Sequence, residues 1–157
     1  MITFHPLAPH HLPFAVDLYR AGLEWSPCSC PHLPNEIAEQ ALLAPNSTWW
    51  VALDEHDGMV GLCGLERINW IDRTGEPYIA VVEARRGTGL ASQLAAHAFH
   101  QATQILNLRR FSSILVIGTP SEHLLKELGF QAEGIHRKAR WKDGAYHDLI
   151  VYAYVKE

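Results

Sequence analysis

Cysteine is scarce in this chain of 157 residues, with three in all and two of them set as Cys28-Ser29-Cys30. An odd, crowded set does not build a disulfide framework and fits a reducing compartment. Cys28, Cys30 and His32, with His10 and His11 upstream, are also where a metal site would be sought. Structural zinc wants separated ligand pairs with two or more residues between the cysteines, so no metal is expected. Long apolar runs are missing as well. None approaches the roughly 20 residues of a membrane-spanning helix, and Met1-Ile2-Thr3-Phe4-His5-Pro6 lacks the charged-then-apolar order of a signal peptide. A soluble, cytoplasmic protein without a membrane partner is the expectation. Basic charge is not in excess: 13 Lys and Arg against 17 Asp and Glu leave a net charge of −4. No electropositive footprint for a phosphate backbone follows, and nucleic acid is not an expected partner.

The chain has enough apolar material to bury a core. Hydrophobic residues make up 48% and charged residues 19%, which excludes a disordered or fibrous chain. The length suits a single domain over residues 1–157. Residues 2–7 read as a first strand. Leu12, Val16, Tyr19 and Leu23 recur on one helical face. Pro27, Pro31 and Pro34 break the chain, and a second helix follows Asn35, with Ile37, Ala41 and Leu42 turned inward. Strands are expected at Thr48–Leu53 and Met59–Asn69 around a turn at Glu55–Gly58. A loop at Asp72–Gly75 leads to a strand at Tyr78–Val82. A long helix spans about residues 89–106, its buried stripe being Leu90, Leu94, Ala98, Ala102 and Ile105. Then come a strand at Phe111–Ile117, a short helix at Ser121–Leu128 ended by Gly129-Phe130, and strands at 131–141 and 146–155. The order predicts a mixed α/β (α+β) fold: a central, mostly antiparallel sheet of about seven strands with about four flanking helices.

The most informative segment is Val81-Val82-Glu83-Ala84-Arg85-Arg86-Gly87-Thr88-Gly89-Leu90-Ala91. An apolar strand runs into glycines, and a helix begins at once. Glycine lets the backbone turn tightly and approach a ligand closely. The unsatisfied N–H groups of the helix start, at the positive end of its dipole, suit a phosphate. A Walker loop is excluded because no Gly-Lys-Ser/Thr follows. A dinucleotide fingerprint is excluded because Ser92 stands where its third glycine belongs.

Arg86-Gly87-Thr88-Gly89-Leu90-Ala91 resembles the Arg/Gln-x-x-Gly-x-Gly/Ala signature with which the GNAT superfamily of N-acetyltransferases grips the pyrophosphate of acetyl-CoA. Ser121 through Gly134 is similar to that superfamily's leucine-rich helix, Gly-Phe and Glu-Gly block. The ending, Arg137 through Asp148, resembles the RimJ/RimL-like branch. The resemblance covers residues 48–157 well, and residues 1–47 in element order only. It implies an acetyl-CoA-dependent N-acetyltransferase acting on a primary amine of a small molecule or a peptide N-terminus, as a monomer or homodimer. An acyl-CoA-binding module without catalysis is the alternative. The cofactor-binding residues it implies are Val81, Val82, Glu83, Arg86, Gly87, Thr88, Gly89, Leu90 and Ala91.

Acetyl transfer needs a base for the ammonium and often an acid for the thiolate. The resemblance implies Glu76, at the mouth of the cofactor strand, as base, with Glu66 on the facing strand second. Tyr146 and His123 are further candidates for proton transfer. Two residues depart from the family pattern: Gly118 replaces a common Asn, and Leu125 replaces the usual proton-donating Tyr. An ordinary thiol titrates near about 8.5, so the thiolate can leave without full protonation. Glu24, Trp25, Trp70 and Asp72 are candidates for recognising a cationic amine.

Overall fold

The computed structural model describes residues 1–22, 33–56 and 58–157. Leu23, Glu24, Trp25, Cys28, Cys30 and His32 therefore lie outside the described residues. The chain forms the strands β1 (Thr3–Pro6), β2 (Thr48–Leu53), β3 (Met59–Asn69), β4 (Thr74–Val81), β5 (Arg110–Val116), β6 (Gln131–Lys142) and β7 (Ala145–Val155). Among the described residues they make one seven-stranded sheet in the order β1-β2-β3-β4-β5-β7-β6. Every neighbouring pair is antiparallel except β4 and β5. The mixed α/β sheet expected from the element order is thus present.

Helices cover both faces. On one, α1 (Leu12–Gly22) and α2 (Asn35–Leu42) pack over β2 and β3, burying Ala15, Val16, Leu18, Tyr19, Ala38 and Leu42 with Trp49, Val51 and Leu62. On the other, α3 (Leu90–His100) buries Leu90, Leu94 and Ala98 against Ala52, Val60 and Cys63. A third cluster joins the end of α3 and α4 (Pro120–Glu127) to β5 and β7 through Ala102, Leu125, Phe111, Phe130 and Tyr152. Each fully buried leucine, such as Leu62 or Leu94, stabilises the fold by about 1.5–3 kcal/mol. Burial also pushes the Cys63 thiol up to about 12, which makes it inert packing.

Three local expectations are corrected. Ile37 is 47% exposed, while its neighbour Ala38 faces the core. Adjacent apolar residues leave the phase of an eight-residue helix undetermined, and the smaller side chain lets α2 approach more closely. Ile105 is 64% exposed. After His100 the hydrogen bonding widens to a π-type turn over Gln101–Ile105, closed by Leu106 N–H to Gln101 O at 2.9 Å. The extra residue rotates the face, so Ala102 and Thr103 turn inward and Ile105 outward. Lastly, β4 begins at Thr74 rather than Tyr78, because Thr74 and Gly75 pair with β5, a contact distant in sequence.

His97 of α3 is stacked on Phe4, with ring centroids 4.3 Å apart, and stands edge-on to Trp50 at 5.4 Å. Its Nε2 is buried without a hydrogen-bond partner. Burial, then the neighbouring His100, holds its pKa below the ordinary histidine value. His11 is lowered as well, by burial and then by His10 and His5. The unfolded chain thus takes up protons first. Stability from these groups is complete above about pH 6.5 and is lost as the pH falls below it. Denaturation midpoints measured from pH 7.5 down to 5 should decline, and His97→Phe should flatten the decline in part, leaving the share of His11.

Candidate active site

The parallel strands β4 and β5 pair at only two positions, Thr74↔Arg110 and Gly75↔Phe111. Beyond them β4 continues to Val81 and β5 to Val116, each bonded only to its outer neighbour. Pro77, just past the last pair, has no N–H to offer. The facing edges of both strands therefore carry backbone donors and acceptors available to a ligand. A cavity of about 160 Å³ opens in this split, lined among others by Pro77 and Ile79 of β4, Ser113 and Leu115 of β5, and Leu125 of α4.

From Val81 the chain passes through a tight turn, Glu83–Arg85, into the two glycines. Gly87 and Gly89 have φ of 73° and 84°, left-handed values that favour glycine, and a Cβ on either would meet nothing within 4 Å. Gly89 caps α3, and no side chain closes the helix start. Its N–H groups thus face open space at the end of the split, suited to an anion. Leu90 is buried in the core, so it offers this region backbone only. Val82 N–H is bonded to Val60 O at 3.1 Å.

Asp54, which sequence reasoning missed, holds the turn from behind. Its Oδ1 accepts the N–H groups of His56 (3.0 Å) and Gly58 (2.9 Å), and its Oδ2 accepts Arg85 Nη2 at 3.0 Å. The two backbone hydrogen bonds are the main reason its carboxyl stays below the usual carboxylate range, with Arg85 adding to them. Thr88 Oγ1 donates to Arg85 O at 2.6 Å. Arg85 is thereby committed to the protein's own β2–β3 turn.

Glu66 and Glu76 are direct partners across β3 and β4 and lie on one face of the sheet. Their surroundings differ. Glu76 Oε2 accepts Arg67 Nη1 at 2.6 Å, and both side chains are half-exposed. Glu66 Oε2 accepts the Tyr19 hydroxyl at 3.3 Å, and its Oε1 is buried without a hydrogen-bond partner. Burial pushes the Glu66 carboxyl up, and the charge of Glu76 adds to that, while Tyr19 and Arg67 oppose it. Tyr19 stacks on Tyr78 at 4.8 Å, and Tyr78 lines the cavity and donates to Tyr19 O at 2.6 Å. Tyr78 lies two residues from Glu76 in the same strand, so strand periodicity was a signal that could have found it.

A profile of the acetyltransferase (GNAT) family matches residues 15–130. The chain belongs to the GNAT acetyltransferase family. A spermidine N(1)-acetyltransferase of Vibrio cholerae serotype O1 is 31% identical over 101 residues, which is 64% of this chain and 58% of that protein. A ribosomal-protein-serine acetyltransferase of Escherichia coli is 29% identical over 100 residues, 63% of this chain and 56% of that protein. The chain thus spans less than two thirds of the length of either relative. The crystal structure of spermidine N-acetyltransferase from Vibrio cholerae, in complex with CoA and spermine, shares the fold with a TM-score of 0.86 at 24% identity, covering 99% of this chain and 95% of that one.

The departures from the family pattern have local causes. Gly118 takes φ 86°, and its N–H donates to Glu122 Oε2 at 2.9 Å. The other oxygen of Glu122 accepts the Tyr152 hydroxyl at 2.6 Å. Leu125 is 7% exposed and forms part of the apolar cavity wall. Tyr146 stands elsewhere: it is 62% exposed, edge-on to Trp141 at 4.9 Å near the β6–β7 turn, and does not line the cavity. His123 is exposed and lies 3.2 Å from Glu127. Trp70 is exposed on the β3–β4 connection, where Asp72 accepts Asn69 Nδ2 at 2.9 Å. His10 and His11 contact each other, and His11 Nδ1 accepts Ala8 N–H at 3.0 Å. Among the described residues no helix is long and apolar enough to cross a membrane, and no three His, Cys, Asp or Glu side chains gather as metal ligands.

A carboxyl whose folded-state pKa is raised favours folding below its unfolded value and disfavours it as pH rises through the folded one. Glu66→Gln should therefore raise Tm at pH 7 and leave it nearly unchanged at pH 4. Thermal melts at the two pH values check this, and equal shifts at both would contradict the buried-charge explanation.

Proposed function

We propose that this chain moves the acetyl group of acetyl-CoA to a primary amine of a small molecule or a peptide N-terminus, with Glu66 as the base. The observation that carries the proposal is the half-buried Glu66 carboxylate, one oxygen held by Tyr19 and the other unpartnered. A base must have an unshared lone pair, and a carboxyl that burial pushes above its ordinary value holds a proton more readily than a solvated one. Glu76, first in the sequence reading, has an oxygen occupied by Arg67 and instead supplies negative charge beside the incoming cation.

The residues around the split fit the co-substrate. The open N–H groups from Gly87 to Ala91 would hold the pyrophosphate, with Arg86 adding charge. The open edge of β4 at Val81 and, two residues back, Ile79 would hydrogen-bond the amides of the pantetheine arm. Val82 is spent within the protein, its N–H on Val60 O and its O on Arg85 N–H, and Glu83 O accepts Arg86 N–H. Glu66 takes a proton from the ammonium, directly or through a water, and the freed amine attacks the thioester carbonyl. Leu125 has no proton to give, so the thiolate leaves unaided, as a group titrating near about 8.5 can. Tyr146 takes no part in this route. The net charge of −4 suits a small cationic acceptor better than a basic ribosomal surface wrapped in nucleic acid.

Release of free CoA from acetyl-CoA across a panel of amines, polyamines and peptides included, tests the proposal. Turnover with at least one amine is expected. Tight CoA binding with no turnover would favour the binding-module reading suggested by Gly118 and Leu125. Glu66→Gln should lower kcat by about 10²–10⁴-fold and leave the KM for acetyl-CoA little changed. Asp54→Asn, which loosens the turn behind the glycines, should do the opposite: a higher KM for acetyl-CoA at nearly constant kcat.

A further inference from the structure

The cavity in the split has two chemically different ends. Thr119 and Ser121 line it beyond the end of β5, Ser113 adds a hydroxyl two residues along β5 from Phe111, and the hydroxyl of Tyr78 is spent on Tyr19 O. Past that level the wall is made of Leu65, Phe99, Ala102, Phe111 and Phe130, none of which holds a charge or a hydrogen-bond donor in its side chain. This inner end closes at the vertex where Gly75 pairs with Phe111. Strands rise about 3.3 Å per residue, so the path from Ile79 back to Gly75 is roughly 13 Å. With Leu in place of a phenol at position 125, the adjoining wall is apolar as well.

We infer that this inner end takes acyl chains longer than acetyl, so that propionyl and butyryl groups are transferred from their CoA thioesters. The inference rests on the proposed entry of the pantetheine arm from the glycine turn, which points the acyl group at the vertex. An acetyl group sends a single methyl past the carbonyl. The pantetheine arm would fill the outer part of the split, and the apolar side chains of Leu65, Phe99, Ala102, Phe111 and Phe130 are left to meet the acyl chain at its inner end. The chemistry balances as for acetyl. The amine nitrogen bonds to the acyl carbon, the C–S bond breaks, and its electron pair goes to sulfur. The ammonium nitrogen sheds two protons, one through Glu66 and one from the tetrahedral adduct, both to solvent, and the thiolate that has left takes up a proton from solvent.

Binding of CoA, acetyl-CoA, propionyl-CoA and butyryl-CoA to the full chain, followed by calorimetric titration, provides the test, with turnover of each thioester on the best amine alongside. A buried methylene tightens binding roughly fourfold. Butyryl-CoA, two methylenes longer, should bind about fifteenfold more tightly than acetyl-CoA and be turned over. Ala102→Leu, filling the inner end, should remove that advantage; Ala102→Val is the gentler replacement if leucine prevents folding. The inference is overturned if butyryl-CoA binds no better than acetyl-CoA, if it binds better but is not turned over, or if its advantage survives in the folded Ala102 variant. Should no CoA thioester bind at all, the cofactor placement fails first and takes this inference with it.

Discussion

Everything distinctive about this molecule follows from two parallel strands that stop pairing. A parallel ladder left unfinished costs backbone hydrogen bonds, and a protein retains such a defect only where the sheet stays anchored on both flanks. β3 secures β4 along most of its length, and β7 secures β5 from Arg110 to Val116. The opening is therefore rigid rather than frayed. Its edges need no rearrangement before they meet a ligand, which lowers the ordering cost of binding.

The carboxylate pair shows how neighbouring residues of one chemical type come to sit in different surroundings. Glu66 and Glu76 face each other across two strands, yet one is solvated beside a guanidinium and the other is turned under α1 against Tyr19. The difference arises from the irregular register after Glu66, where Arg67 adopts φ 47° and swings to the side of Glu76. An unpaired buried oxygen lowers the stability of the resting protein, and such a group persists where the surrounding fold over-determines it.

Much of the architecture was legible in the residues. β2 and β3 have the bounds that alternation around the Glu55–Gly58 turn suggested, and the glycines stand at the strand–helix junction their spacing implied. The failures share a cause. Ile37 depends on which of two adjacent apolar residues meets the core, Ile105 on a widened turn in the helix, and the start of β4 on pairing with a strand distant in sequence, and local periodicity carries none of this. The proposed preference for Glu66 over Glu76 as base likewise rests on a contact that local sequence does not show. Sequence locates both at the strand mouth, but the partner that occupies one, Arg67, reaches it only through a backbone irregularity. Asp54 gave no local signal beyond a turn residue, since its second role spans 31 positions to Arg85.

The widened turn at the end of α3 has a consequence for the shape of the molecule's interior. The helix is fixed at one end by the glycine turn and at the other by Leu108 N–H bonding to Ala102 O at 2.9 Å. Between these anchors it carries one residue more than regular winding accommodates, and Gln101–Ile105 absorbs the surplus. Ala102 belongs to that segment, so the depth of the chamber behind the strands is governed by helical register as well as by side-chain size. A family built on this frame could reshape its reactive chamber by gaining or losing a single residue in a helix, with every strand of the sheet left as it was.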